Sequence, residues 1–247
     1  TKPSASARAR AVVVFPEPQI AGVTDWPETD WHDSFCTGND DVPPLESLAA
    51  TFEALKVANR ERIQATTITD WLPSVQDIKY SNGTPQANNA LLESCDNFYQ
   101  TGQQDGKNLL SIISMDINGE VPLQASTIMG KPGAVYASNS ALYVESRHSR
   151  YNKLTPWFFA DEQQIDEAST IHKFSLSQKT PASEYVGSGV VKGRVLNQFA
   201  MDEFAGFFRI ATTTGRAPSQ NAHSTITIFD VNANELVKVE IGRASCR

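Results

Sequence analysis

One segment in the first half of the chain has helical periodicity. Its apolar residues recur at spacings of three and four: Leu45, Leu48, Phe52 and Leu55. Acidic residues and prolines precede them, as is typical of a helix start, and Pro73 cannot continue a helix. The pattern predicts one amphipathic helix over about residues 43–66. Residues 74–106 are rich in Asn, Gln, Ser and Gly, and this composition predicts a long loop.

From residue 107 onward, short β-type runs replace the helical pattern. The runs are LLSIISMDI, AVYAS, ALYVES, TIHKFSLS, EYVGSGVV, TITIFDVN and ELVKV. Turn signals separate them, and Ser138-Asn139-Ser140 joins two alternating runs into a predicted hairpin. Strands at this spacing, without helices between them, predict an antiparallel all-β architecture.

Residues 194–215, RVLNQFAMDEFAGFFRIATTTG, combine charged, amide and aromatic side chains. Ala205-Gly206 is a natural two-residue hairpin turn. It predicts five facing pairs: Phe204 with Phe207, Glu203 with Phe208, Asp202 with Arg209, Ala200 with Ala211, and Gln198 with Thr213. Both faces of this hairpin carry apolar residues, which predicts a sheet covered on both sides.

The same register argues against an acid pair in this hairpin. Adjacent residues of a strand point to opposite faces, so Asp202 and Glu203 cannot converge on one glycosidic bond. We therefore assign structural roles to four residues of the hairpin: Asp202, Arg209, Asn197 and Gln198. No catalytic residue is assigned, because serine-hydrolase, zinc-protease and phosphate-loop motifs are also missing from the sequence.

Charge restricts the class of partner. The formal net charge is −7, from 21 basic and 28 acidic residues. Nucleic acids and anionic membranes favour clustered Lys and Arg, so neither is expected as the main partner. No apolar run approaches the roughly 18 residues that a membrane span needs. The four histidines are scattered without ligand spacing, so no metal or cofactor is expected.

Two cysteines bear on the cellular compartment. Residues 241–247, IGRASCR, match the translation of a common sequencing adapter, and we expect them to be an artefact at the end of a gene fragment. This leaves Cys36 and Cys95, both in polar surroundings. They fit a disulfide in an exported protein, or alternatively two unpaired thiols in a reducing compartment.

Two clusters are candidate binding residues. DWPETDWHDSF places Trp26 and Trp31 in a loop-like stretch, where they can form a carbohydrate-stacking platform or anchor a long connection. The segment 151–170 is long for a connection between strands, and long loops on rigid scaffolds often bind ligands. Its candidates are Trp157, Asp161, Glu162 and Asp166. The alternative for this segment is a solvated acidic insertion.

Four motifs in the second half resemble a known family. They are the tyrosine hairpin VYAS…LYV, the IHKF strand, the GxVxGxxLNQFxMDE run and the FRIATT strand, at residues 135–144, 171–174, 189–203 and 208–213. The chain is similar to bacterial and archaeal secreted proteins with a C-terminal β-propeller domain distantly related to WD-40 repeats. The resemblance implies an all-β fold, a partial β-propeller of antiparallel four-stranded blades, with an N-terminal helical and loop insertion.

The resemblance also implies a domain plan and a role. Residues 1–106 are expected to be blade material interrupted by the insertion, and residues 107–240 to be truncated propeller blades. The implied protein is secreted or attached to the cell envelope, with its export signal upstream of residue 1, and binds a protein or glycan without catalysis. The alternative is a propeller-based hydrolase or lyase with acids at the channel mouth: Asp161, Glu162, Asp166 and Glu167.

Overall fold

The computed structural model describes residues 8–27, 45–103, 105–117, 123–150, 157–159, 166–176, 183–216, 222–231 and 236–245. The chain divides into two compact units. The larger unit comprises residues 1–17 and 92–247, and the smaller unit comprises residues 18–91. The helix predicted from the apolar spacing lies in the smaller unit.

The elements follow one another along the chain. They are β1 (Arg8–Phe15), α1 (Leu45–Gln64), α2 (Ile68–Trp71), β2 (Ser74–Ser81), β3 (Thr84–Leu91), β4 (Phe98–Gln100), β5 (Asn108–Asp116), β6 (Gln124–Gly130), β7 (Pro132–Ala137), β8 (Ala141–Ser149), β9 (Glu167–Ser175), β10 (Glu184–Lys192), β11 (Arg194–Val195), β12 (Met201–Phe204), β13 (Phe207–Thr214), β14 (His223–Asp230) and β15 (Val237–Ser245). Short 3₁₀ turns occur at Cys95–Asn97 and Gln198–Ala200.

The described strands of the larger unit form three sheets. Sheet I has the order β1-β5-β6-β4, sheet II the order β10-β9-β8-β7, and sheet III the order β11-β13-β14-β15, with β12 also pairing with β13. Neighbouring strands are antiparallel, except that β4 runs parallel to β6. Sheets II and III are each built from strands that follow one another along the chain. The predicted all-β antiparallel class is confirmed.

Two apolar clusters hold the three sheets together. The first joins sheets II and III, and its buried members include Tyr143, Ile171, Val191, Phe208, Ile210 and Phe229. The second joins sheets I and II, and its buried members are Leu110, Ile112, Ile128, Leu142, Val144 and Phe174. Sheet II therefore contributes side chains of alternate residues to both clusters, as the two-residue period of a strand requires.

The predicted hairpin forms around Ala205-Gly206. Both residues have positive φ, 50° and 83°, as a type I′ turn requires. The three predicted pairs nearest the turn are present, with Asp202 opposite Arg209. The two outer pairs are wrong: Thr213 pairs with Arg194, and a 3₁₀ turn occupies residues 198–200. The side chain of Asn197 accepts a hydrogen bond from the amide of Phe199, and this local cap bends the chain out of the ladder.

Burial along sheet III differs from the expectation of two covered faces. Phe208, Ile210 and Thr212 are buried and face sheet II. On the opposite face Phe207 is exposed, and Ile226 retains 51% of its accessible surface. Among the described residues sheet II packs on one side of sheet III only, so the prediction that both faces are covered is wrong for this part of the chain.

The smaller unit contains the helices α1 and α2 and a hairpin. The loop predicted for residues 74–106 is wrong over its first part, because β2 and β3 pair with each other throughout their length. Asn82 and Gly83, both at positive φ, form the turn between them. Both strands are almost wholly exposed, and the polar residues of β3 in particular break the alternation that identifies a strand. No described helix is long and apolar enough to cross a membrane.

Candidate binding site

The predicted binding residues do not gather into one site. Trp26 belongs to the smaller unit, where its exposed ring packs edge-on against Phe52 at 5.6 Å. Trp157 belongs to the larger unit and packs edge-on against Phe158 at 5.3 Å. Asp166 is exposed at the start of β9. Three further candidates lie outside the described residues: Trp31, Asp161 and Glu162.

The predicted disulfide stays a prediction. Cys95 begins a 3₁₀ turn in the larger unit and is exposed. Cys36 lies outside the described residues. The adapter origin predicted for residues 241–247 also stays a prediction; the backbone of residues 241–245 forms the end of β15.

Asp202 and Arg209 form the cross-strand ion pair that the register predicts. The Nε of Arg209 donates to Oδ1 of Asp202 at 2.8 Å, and its Nη2 donates to the other carboxylate oxygen. The guanidinium also lies 5.5 Å from the ring centre of Phe204. Hydrogen bonding to Asp202 raises the pKa of Arg209. Both side chains are half-exposed and engaged with each other, so the pair braces the hairpin.

Glu203 points to the other face of the hairpin and reaches sheet II. Its carboxylate accepts hydrogen bonds from Tyr143 Oη at 2.9 Å, Ser138 Oγ at 2.8 Å and Ser140 Oγ at 3.2 Å. Its backbone amide donates to Tyr136 Oη at 3.1 Å. Three hydroxyl donors on one carboxylate link sheet III to the β7–β8 hairpin. We call this arrangement the Glu203 clasp.

Burial and the neighbouring carboxylate of Glu203 both raise the pKa of Tyr143 in the clasp. Its ring stacks on Phe208 with centroids 3.9 Å apart. Burial, followed by the hydrogen bond to Glu203, raises the pKa of Tyr143. The hydroxyl therefore stays protonated and serves as a donor. The alternation in VYAS…ALYV is the sequence signal that places Tyr136 and Tyr143 on one face. Their hydrogen bonds to Glu203 were not predicted from the sequence.

Glu145 on β8 is fully buried and fully engaged. Oε1 accepts from Ser169 Oγ at 2.7 Å and from the amide of Val195 at 3.2 Å. Oε2 accepts from the amide of Ala134 at 2.7 Å and from Arg147 Nε at 3.4 Å. Four donors from four strand segments occupy this carboxylate, so it connects sheets II and III and is not available as a general acid or base.

The position of Glu145 explains why residue 133 is a glycine. A Cβ on Gly133 would lie 2.3 Å from Glu145 Oε2, so any larger residue there would displace the carboxylate. The pairing of β7 with β8 is also irregular at this point, between Pro132 and Val135. The distortion turns the amide of Ala134 toward Glu145.

Two histidines on sheet II are buried and neutral. His148 shares a hydrogen bond with Thr170 Oγ1 at 2.9 Å, and His172 with Tyr185 Oη at 3.3 Å. Burial lowers the pKa of His148, and burial together with His148 lowers the pKa of His172 to about 4. One ring nitrogen of each lacks a protein partner among the described residues. No group of three or more metal-binding side chains occurs in the described part of the chain.

A groove lies between β7 and the 3₁₀ turn at residues 198–200. Its volume is about 370 Å³, within the range of roughly 300–1,000 Å³ typical of ligand pockets. Its lining residues are Val135, Tyr136, Ala137, Gln198, Phe199 and Met201. We call this pocket the β7 groove.

The β7 groove presents unused contact groups. Phe199 is 87% exposed, and Leu196 beside it is 78% exposed. The hydroxyl of Tyr136 accepts a bond from Glu203, which leaves its own proton free to donate. The amide of Gln198, assigned a structural role from the sequence, makes no hydrogen bond among the described residues. Such a combination of an exposed ring with free polar groups is typical of a binding site.

A second, larger pocket of about 620 Å³ lies against β5 and β6. Three of its charged groups are already used. Lys107 pairs with Glu17 at 2.7 Å, and Asp105 accepts a hydrogen bond from the amide of Ser149 at 2.6 Å. This pocket therefore offers fewer free polar groups than its size suggests, and the β7 groove is the stronger candidate.

The fold defines the class of this protein. The described strands form successive, mainly antiparallel sheets packed face to face, an arrangement typical of the blades of a β-propeller. The family model of the Beta propeller domain matches residues 31–243, and the chain belongs to this family.

A relative in an archaeon shares part of this sequence. It is an uncharacterized protein of Methanocaldococcus jannaschii, 38% identical over 77 residues. The match covers 31% of this chain and 12% of that protein, so the chain aligns with a small part of the relative's length.

Proposed function

We propose that this β-propeller domain is a non-enzymatic binding scaffold whose ligand, a protein or a glycan, occupies the β7 groove. The observation that carries this proposal is the groove itself. It combines the exposed ring of Phe199 with the free hydroxyl proton of Tyr136 and the free amide of Gln198. A ring that a ligand can cover, beside donors that can orient it, provides both affinity and specificity.

The engaged state of the nearby carboxylates supports a role without catalysis. Glu203 accepts three hydroxyl donors, and Glu145 accepts four donors. Each of their four carboxylate oxygens already accepts at least one hydrogen bond, which disfavours either group as a general acid or base. Lys173 donates to the carbonyl of Val231 at 2.8 Å, and burial lowers its pKa. One N–H of the Lys173 ammonium is thus committed to a structural contact.

The domain is proposed to act outside the cytoplasm, secreted or at the cell envelope. Support comes from the motifs at residues 189–203 and 208–213, which resemble secreted bacterial and archaeal propellers related to WD-40 repeats. Non-reducing peptide mass spectrometry of protein from an oxidising compartment is expected to find Cys36 linked to Cys95. Recovery of both as free thiols would contradict export.

The binding function is tested with arrays of glycans and peptides. We expect the full chain to bind at least one ligand class, and Phe199→Ala to weaken that binding about tenfold, since a buried aromatic contact contributes more than 1 kcal/mol. Phe204→Ala is the matched control, because Phe204 is also an exposed aromatic but lies outside the groove. Loss of binding in both variants would contradict the proposal that the ligand occupies the β7 groove.

Turnover assays separate the scaffold from the hydrolase or lyase alternative. Of the acids assigned to that alternative, Glu167 is paired with Arg194 at 2.8 Å, and Asp166 is exposed. Incubation with panels of glycosides and peptides is expected to give no product. Turnover that is lost in Asp161→Asn or Glu162→Gln would establish the enzyme instead.

A further inference from the structure

We propose that the β7 groove binds an extended, uncharged peptide segment, which adds to sheet II as a further strand along the free edge of β7. This inference rests on the proposed binding function and specifies its ligand. Its support is the placement of the lining residues, the direction of their backbone groups and the character of the opposite wall.

Three consecutive residues of β7 line the groove: Val135, Tyr136 and Ala137. Val135 packs toward the cluster between sheets I and II, whereas Tyr136 packs toward the cluster between sheets II and III. Side chains on opposite faces of a strand share only its backbone edge. Among the described strands β7 is the terminal strand of sheet II, so the groove runs along a strand edge that no described segment pairs with.

The pairing of β7 with β8 determines which backbone groups face the groove. The amide of Ser138 donates to the carbonyl of Ala141 at 2.8 Å, which makes these two a hydrogen-bonded pair. Antiparallel ladders alternate bonded and non-bonded pairs. Tyr136 is therefore bonded to β8, while Val135 and Ala137 direct their N–H and C=O groups away from it, toward the groove.

These outward groups form the pattern that an added strand recognises. Val135 and Ala137 are two residues apart, a spacing of roughly 6.6–6.8 Å along a strand. Each offers one donor and one acceptor, and neither residue has a hydrogen bond to another described segment. Strand addition to such an edge satisfies both pairs at once, and it is a recurring way for proteins to bind peptides.

The opposite wall suits an uncharged side chain of the peptide. Phe199 and Met201 supply apolar surface, and Gln198 supplies one amide. None of the described residues that line the groove is Lys, Arg, Asp or Glu, so a charged ligand would gain no ion pair from them. A glycan would depend on side-chain donors and acceptors, of which the groove has a single hydroxyl and a single amide. The backbone edge favours the peptide.

A backbone-modified probe tests strand addition without changing the protein. The probe is a fluorescent, terminally blocked peptide of sequence Thr-Val-Thr-Val-Thr, and its control carries N-methyl groups on alternate residues. We expect the unmodified peptide to bind the full chain, and the N-methylated peptide to bind at least about tenfold more weakly, because it cannot donate to the β7 edge. Equal binding of the two peptides would overturn the proposal.

A proline at the edge tests the same contact from the protein side. The side chain of Ala137 is exposed and its N–H faces the groove, so Ala137→Pro removes a donor that the native fold does not use. We expect unchanged thermal unfolding and at least about tenfold weaker peptide binding, with Ala137→Val restoring it. Undiminished binding by a folded Ala137→Pro variant would overturn the proposal; if that variant does not fold, the N-methylated peptide decides.

Maltotriose distinguishes the two ligand classes. Peptide binding that is lost in Phe199→Ala supports both the proposed function and strand addition. Maltotriose binding at the groove, lost in Gln198→Ala and unaffected by Ala137→Pro, would overturn strand addition and leave the binding function intact. Failure of both probes and of the arrays would overturn both proposals.

Discussion

The two units of the chain differ in what holds them together. The larger unit buries aromatic and aliphatic side chains in two clusters and places buried polar groups between its sheets. The smaller unit has no buried residue in its helices α1 and α2, and the strands of its hairpin are almost wholly exposed. Most stabilisation of secondary structure comes from tertiary burial. The comparison therefore predicts large effects of substitution in the larger unit and small effects in the smaller one.

The largest effect is expected at Glu145. Glu145→Ala removes the acceptor of the buried amide of Val195 and of the partly buried amide of Ala134. We expect a loss of about 3–5 kcal/mol in the free energy of unfolding, measured by denaturant titration. Glu145→Gln keeps one oxygen acceptor and serves as the control, with a smaller loss. A loss below about 1 kcal/mol for Glu145→Ala would show that solvent reaches this cluster.

The buried histidines give the larger unit a pH dependence. The native pKa of His172 is about 4, below the ordinary value of 6.5, so the unfolded chain takes up a proton first as the pH falls. Stability is fully present above about pH 6.5 and is lost as the pH falls toward 4, by about 3 kcal/mol from this group. Thermal unfolding between pH 7 and pH 4 measures it. His172→Gln is expected to flatten the profile.

A smaller effect is expected in the Glu203 clasp. Tyr143→Phe keeps the ring stacked on Phe208 and removes one donor to Glu203, so the free energy of unfolding should fall by about 1–3 kcal/mol. Ser140→Ala removes a longer bond of 3.2 Å from an exposed residue and should cost less. Equal losses in the two variants would indicate that burial of the donor does not matter.

The smallest effect is expected in the smaller unit. Leu55 is only half-buried on α1, and Leu55→Ala should cost less than about 1 kcal/mol. Leu110 is 3% exposed in sheet I and is the matched control, since Leu110→Ala should cost about 2–5 kcal/mol. Similar losses for the two leucines would remove the distinction between the units.

The turn residues of the larger unit made the β12–β13 hairpin predictable from the sequence. Ala205-Gly206 specified a two-residue hairpin, and the pairing of Asp202 with Arg209 followed by counting back from it. The pairs beyond the 3₁₀ turn could not be counted in this way, because the cap by Asn197 interrupts the strand. The β2–β3 hairpin was missed since its strands are polar, although its Asn82-Gly83 turn was visible in the sequence.

The candidate site was less predictable than the fold. Phe199 and Gln198 lie in a run that the sequence identified as distinctive, but their exposure depends on how the chain passes from β11 to β12. The free edge of β7 depends on whether a further strand pairs with β7 on the side opposite β8, and the hydrophobic pattern of a strand does not specify that. The tryptophans and acids of the long loops were predicted as binding residues from local composition. Composition does not show which side chains lie close together in the fold.

Gly193 alone separates β10 from β11, so the chain leaves sheet II and enters sheet III within one residue. Its φ is 82°, and a Cβ there would lie 2.5 Å from the carbonyl oxygen of Thr213. Sheets II and III consist of sequential strands, so their contacts close short loops and cost little chain entropy. Sheet I must instead bring β1 to β5 across residues 16–107. Sheets II and III are therefore expected to form first during folding, with β1 docking last.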